Sequence, residues 1–167
     1  VRKTLKFFYA TNSKIFEWIK SPIFYRKDEA FVNALVKMIP DYYSSRKGIH
    51  HYLGLTRNTL NNDLQGDTVK LKKYFYALRP VLAAYWIAKN DSCPPMVFGE
   101  LKTLITDPII KEKVESLLQL KQTADEKFLI PKDDILNQFI LETMNFCETH
   151  VKSIEYKETD TSALNEL

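Results

Sequence analysis

Glycine and cysteine are both scarce in this sequence of 167 residues. Only four glycines occur, and no Asn-Gly or Asp-Gly pair is present to form a tight hairpin, which argues against a fold dominated by β-sheet. The two cysteines, Cys93 and Cys147, are far apart in the chain. Neither they nor the three histidines show the spacing of metal ligands. We therefore expect free thiols in a reducing compartment and no metal bound by this chain.

Long apolar runs and an excess of one charge are also missing. No run of about eighteen apolar residues is present, and the first dozen residues lack the apolar segment of a signal peptide. The expected location is the cytoplasm, with no membrane partner. Lys and Arg number 24 against 21 Asp and Glu, a net charge of +3. This balance permits a polyanionic partner without requiring one, so function must come from local clusters.

Helical periodicity is what the sequence has in abundance. Apolar residues recur at spacings of three and four through most of the chain, and 45% of all residues are hydrophobic. Candidate N-caps precede three of these segments: Ser13, Asp28, and Ser44 or Ser45. The stretch Lys132–Asp134 is a candidate cap for a later segment. The pattern predicts a series of amphipathic helices with enough apolar surface for one core.

The predicted fold class is therefore all-α, a single bundle-like domain of about six to seven helices. This helical domain covers residues 1–155, and residues 156–167 form a polar tail without an apolar face. At most, short β segments are expected near residues 22–25 and 95–98.

The longest predicted helix, over residues 69–89, begins within the stretch TVKLKKYFYALRP of residues 68–80. A stripe of helical spacing predicts which of its side chains face the core: Leu71, Phe75, Leu78, Leu82 and Trp86. We expect this helix to be the central and most buried element of the fold.

A cationic face borders that stripe. Lys72, Tyr76 and Arg79 lie on one side of the predicted helix, with Lys73 nearby on the polar side. Such side chains can offer several donors to phosphate oxygens in a cleft. The alternative is that the cations only cover the edge of a buried helix. Pro80 removes one helical hydrogen bond, and the resulting kink serves a site or helix packing equally well.

Several sequence blocks occur in a fixed order over residues 2–146: SPIFY, HHYLGLTRN, VKLKKYFYALRPVLAAYWI, PPMVFGEL and LNQFI. In this combination the chain resembles the C-terminal half of a bacterial and phage group of predicted nucleotidyltransferases. The group belongs to the DNA-polymerase-beta superfamily, and some members lie in RNA-repair gene neighbourhoods. The block KKYFYALRP is the most specific part of the resemblance.

The resemblance implies a two-part enzyme that transfers a nucleoside monophosphate from a nucleoside triphosphate to an acceptor, with RNA as one candidate. Paired carboxylates of an N-terminal α/β domain would hold two Mg²⁺ ions, and a helical domain would close over the nucleotide. This sequence has no Gly-Ser or Gly-Gly turn followed by paired carboxylates, and ETD at 158–160 lies in the polar tail. Mg²⁺ is therefore expected only in a missing N-terminal domain, which is itself a partner. The chain is expected to be an inactive fragment without catalytic residues.

By position, the resemblance also implies a set of nucleotide-phosphate contacts: Lys72, Lys73, Tyr76, Arg79, His51, Tyr52 and Arg57. Other roles stay open for some of them. His51 is also suited to hydrogen-bonded packing, Arg57 to a solvated helix surface, and Arg79 to bridging helices. Two other classes compete with this function, a non-enzymatic RNA- or protein-binding helical module and a plain structural domain. The low net charge favours the nucleotidyltransferase domain over a general polyanion binder.

Overall fold

A computed structural model describes residues 2–10, 12–21 and 28–154. Helices dominate this part of the chain, which confirms the all-α prediction. The eight α-helices are α1 Arg2–Tyr9, α2 Ser13–Ile19, α3 Glu29–Tyr42, α4 Ser45–Asp63, α5 Leu71–Asn90, α6 Phe98–Leu101, α7 Pro108–Thr123 and α8 Asp134–Val151. A 3-10 turn, Lys102–Leu104, follows α6, and two short strands complete the described elements, β1 Thr68–Lys70 and β2 Leu129–Pro131.

The two strands pair antiparallel, with Val69 opposite Ile130. Short β structure was expected near residues 95–98, but those residues form no strand, and the other expected segment, 22–25, lies outside the described residues. Consecutive prolines at 94 and 95 cannot donate to a ladder, whereas buried Val69 is well suited to one. Because β1 occupies residues 68–70, α5 begins two residues later than predicted.

Side-chain caps begin several helices where the sequence places them. Asp28 accepts a hydrogen bond from the Phe31 amide at 3.1 Å, and Ser44 accepts one from the Lys47 amide at 3.3 Å. Asp133 caps α8 in the same way. These contacts satisfy amides that have no partner within the helix.

The large core surrounds α5, which packs against α4, α7 and α8. The predicted stripe is confirmed, since its first four members are buried and Trp86 packs against the core while remaining partly exposed. Phe75, for example, is only 8% exposed. The helix continues through buried Pro80, although the proline removes one backbone hydrogen bond. This arrangement confirms α5 as the central element.

A small core lies between α1, α2 and α3. Phe8 is its centre, with ring centroids 4.9 Å from Phe16 and 5.4 Å from Tyr42. Tyr43 packs against both cores. Its ring lies so close to α4 that a Cβ built on Gly48 would be 2.2 Å from the Tyr43 hydroxyl oxygen. The junction of the two cores therefore requires a glycine at this position.

Candidate functional site

The Lys73 cluster, formed by Lys72, Lys73 and Tyr76, lies on the first half of α5. The Lys73 ammonium is 2.9 Å from Asp63 Oδ2 and 5.5 Å from the centroid of the Tyr76 ring. Lys72 Nζ is 3.2 Å from Glu126 Oε2. Tyr76 is 54% exposed, although it belongs to the most buried helix of the structure. The cluster thus presents an aromatic ring and two ammonium groups to solvent.

The two ion pairs of this cluster differ in how firmly they are held. The Glu126 side chain is 89% exposed, and such surface pairs contribute only about 0–1 kcal/mol. A more highly charged anion can therefore compete for Lys72 at little cost. Lys73 and Asp63 are about a quarter exposed, at 25% and 28%, so water screens their attraction less.

The Glu17 cluster, formed by Glu17, His51, Tyr52 and Arg79, lies beside it. The Tyr52 hydroxyl donates to Glu17 Oε1 at 3.0 Å, and Arg79 Nη1 donates to the same oxygen at 3.3 Å. The second terminal nitrogen of Arg79, Nη2, lies 3.5 Å from the carbonyl oxygen of Met96. The hydrogen bonds of Glu17 thus join α2 to α4 and α5.

Burial determines the protonation states in the Glu17 cluster. Burial, and after it the Glu17 carboxylate, raises the pKa of Tyr52, so the phenol remains a neutral donor. Burial lowers the pKa of His51, whose ring meets the Tyr52 ring edge-on at a centroid distance of 5.2 Å. At neutral pH His51 is therefore an uncharged imidazole.

Glu17 did not emerge from the sequence as a site residue, but a signal for it exists. It is the only acidic residue among residues 1–27, which contain seven Lys and Arg residues. An isolated carboxylate in so basic a segment is expected to find a cation. Its partner Arg79 consequently bridges helices through a carboxylate, which is the alternative role that the sequence left open.

Arg57 lies apart from both clusters. Its guanidinium bonds to Glu148 on α8, and its side chain is 52% exposed. The structure thus groups six of the seven predicted contact residues into two clusters along α5 and leaves Arg57 on another side of α4.

Metal and thiol chemistry find little support in the described part of the chain. No group of three or more His, Cys, Asp or Glu side chains there is arranged to hold a metal ion. Burial raises the pKa of Cys93 to about 11 and that of Cys147 to about 12, so both thiols stay protonated at neutral pH. None of the described helices is long and apolar enough to cross a membrane.

Comparison with known proteins identifies the class of protein as DNA-polymerase-beta-like. The chain belongs to the RlaP family, described as the RNA repair pathway DNA polymerase beta family, whose model matches residues 1–167. It is 37% identical over 171 residues to the uncharacterized protein YcgL of Bacillus subtilis (strain 168). That match covers 100% of this chain but 65% of the relative. No solved structure matches the chain.

Proposed function

We propose that this chain is the nucleotide-phosphate-binding helical domain of a cytoplasmic nucleotidyltransferase, which transfers a nucleoside monophosphate from a nucleoside triphosphate to an acceptor. Membership of the RlaP family supports the class of reaction. The observation that carries the binding role is the exposed Tyr76 ring, with the Lys73 ammonium 5.5 Å from its centroid, on an otherwise buried helix. Large exposed rings beside cations are typical of surfaces that bind a partner.

In this proposal the Lys73 cluster contacts the triphosphate. Lys72 is the group most readily available, because its partner Glu126 is almost fully in solvent. Lys73 supplies a second ammonium, and the Tyr76 hydroxyl adds a neutral donor to a phosphate oxygen. Three donors on one helical face match the spread of oxygens along a triphosphate.

The Glu17 cluster borders this site and orients it. Arg79 has five N–H donors, and Glu17 and Met96 use only part of them, so the guanidinium retains donors for a phosphate. Tyr52 donates to the carboxylate that fixes Arg79, and the neutral His51 ring packs edge-on against the Tyr52 ring. Arg57 joins the phosphate contacts only when its bond to Glu148 opens.

Divalent metal ions are the usual means by which such enzymes stabilise the charge of the transferred phosphoryl group. The described residues offer no cluster that fits them. We therefore propose that Mg²⁺ is held by carboxylates of an N-terminal domain in the longer protein, with an RNA end as one candidate acceptor. Residues 1–167 alone should then transfer no nucleotide in the presence of Mg²⁺ and triphosphate.

Nucleotide affinity of the full-length protein tests the binding role. Lys72→Ala should weaken triphosphate binding about ten- to a hundredfold, since a charged hydrogen bond contributes about 1.5–3 kcal/mol. Tyr76→Phe tests the hydroxyl separately. Lys111→Ala is the matched control, because Lys111 is an exposed α7 cation without a carboxylate partner among the described residues. Equal affinities for Lys72→Ala and Lys111→Ala would contradict the proposal.

A further inference from the structure

A second basic-aromatic surface lies where α5 and α8 end and α4 begins. We call it the Phe146 surface, and its members are Arg46, Tyr85, Lys89, Phe146, His150 and Lys152. Lys89 Nζ lies 4.9 Å from the centroid of the Phe146 ring and 5.4 Å from that of Tyr85. Phe146 is 42% exposed and stacks on His150 at an interplanar angle of 11°. One exposed ring, Phe146, thus lies beside cations and two partly buried rings on this surface.

The cations here are less neutralised than those of the Lys73 cluster. Lys72 and Lys73 both bond to carboxylates. Arg46, Lys89 and Lys152, by contrast, have no carboxylate partner within the described part of the chain. Their charge is therefore available to an anionic partner without the loss of an existing ion pair.

The shape of the surface is concave. A cavity of about 610 Å³ is lined by Arg46, Lys89 and His150, and a second of about 260 Å³ is lined by Arg46, Arg57 and Lys152. Because Arg46 contributes to both, the two cavities are neighbours.

Helix electrostatics do not account for all of these cations. Lys89 lies in the last turn of α5, where positive charge complements the helix carbonyls. Arg46 lies in the first turn of α4, which carries no acidic residue and where a cation opposes the helix dipole. Helix stability does not explain the exposed Phe146 ring either. Arg46 and Phe146 therefore point to a partner rather than to helix stability.

We propose that the Phe146 surface binds single-stranded nucleic acid, with its cations on backbone phosphates and its rings stacked on bases. Lys73 and Lys89 are sixteen residues apart on α5, which corresponds to about 24 Å along the helix. The surface is therefore separate from the Lys73 cluster, and the inference does not depend on that cluster. One end of α5 would contact the incoming nucleotide and the other end a polynucleotide strand.

The test is binding of a fluorescent single-stranded oligouridine, about twelve nucleotides long, to the chain over a series of salt concentrations. Each phosphate contact contributes about −0.7 to the slope of log affinity against log salt for a single strand. The double variant Arg46→Ala, Lys89→Ala should therefore have a slope about 1.4 units shallower. Lys111→Ala removes one cation away from this surface and is the control, and its slope should equal that of the unmodified chain.

The aromatic part of the surface has its own variants. Phe146→Ala should weaken oligouridine binding about 5- to 100-fold, the range expected for loss of one stacked base, and Phe146→Tyr should restore it. Melting temperatures identify a folding defect, in which case the more conservative Phe146→Leu replaces Phe146→Ala. A deoxyribose oligomer distinguishes RNA from DNA, since preference for RNA indicates a contact to the 2′-hydroxyl.

Two results would overturn the inference. One is an unmodified chain that binds the oligomer no more tightly than the Arg46, Lys89 double variant. The other is a Phe146→Ala variant that is folded and binds with unchanged affinity. Nucleotide affinity is measured separately on the same variants and should not change, so failure of this inference and failure of the proposed function are distinguishable.

Discussion

The large core around α5 is built on a continuous apolar stripe, whereas the small core of α1–α3 reaches the rest of the molecule through Tyr43, Cys93 and a set of polar contacts. Glu17 bonds to Tyr52 and Arg79, and Lys20 donates to the carbonyl of Cys93 at 2.9 Å. Apolar burial is non-directional, but hydrogen bonds depend on exact partners. We therefore expect the large core to tolerate loss of a polar group, and we expect the contacts between the two cores not to tolerate it.

The largest effect is expected inside the large core. Phe75→Ala removes a ring that is 8% exposed and should lower the free energy of unfolding by about 3–5 kcal/mol. Tyr76→Ala, one position further along α5, is the control and should change it by less than about 0.5 kcal/mol, because the ring is exposed. Chemical denaturation of both variants measures the difference. Similar losses would mean that the assigned faces of α5 are wrong.

The next effect concerns the close approach of Tyr43 to α4. Gly48→Ala places a methyl group 2.2 Å from the Tyr43 hydroxyl oxygen and should cost about 1–3 kcal/mol of stability through overpacking. The hydroxyl is buried without a hydrogen-bond partner among the described residues, so Tyr43→Phe should be neutral or stabilising. In the Tyr43→Phe background Gly48→Ala should cost less. Strict additivity of the two substitutions in thermal melts would contradict this contact.

An effect of similar size is expected at the polar junction. Arg79→Ala leaves Glu17 without its cation and should lower stability by about 1–3 kcal/mol, with the loss concentrated in α1–α3. Hydrogen exchange resolves whether the small core opens while the large core stays protected. In the Glu17→Gln background Arg79→Ala should cost less stability, and a double-mutant cycle of the two substitutions measures this coupling.

Arg79→Ala also separates the two roles of this residue. Its melting temperature and the nucleotide affinity of the full-length protein are measured together. A lower melting temperature with unchanged affinity would restrict Arg79 to bridging helices. A lower affinity with little change in melting temperature would instead support a phosphate contact.

The smallest effect is a pH dependence from His51. Burial lowers the pKa of His51, so the unfolded chain takes up a proton at a higher pH than the folded one. The stability contributed by neutral His51 is thus present above about pH 6.5, the usual histidine value, and is lost as pH falls below it. His51→Gln should flatten the melting temperature between neutral and mildly acidic pH. A His50→Gln control should leave that dependence in place.

Local sequence patterns were sufficient to predict much of the fold. Helical spacing and caps such as Asp28 and Ser44 depend on hydrogen bonds between residues three or four positions apart, and the sequence therefore contains them. The buried stripe of α5 follows from the same period. The predicted cap at Ser13 is wrong, since Asn12 is the N-cap of α2 and accepts from the Lys14 amide. The sequence determines helix boundaries only weakly, because adjacent polar residues can cap a helix almost equally well.

By itself, then, the sequence determined the helices, their buried faces and the family resemblance, because these depend on short-range spacing and on residue order. Only the tertiary structure decided which distant groups meet. Pairing of β1 with β2, the contact of Glu17 with Arg79, and the contact of Lys89 with Phe146 all join residues far apart in the chain. Such contacts depend on how finished helices pack, and no local period encodes that packing.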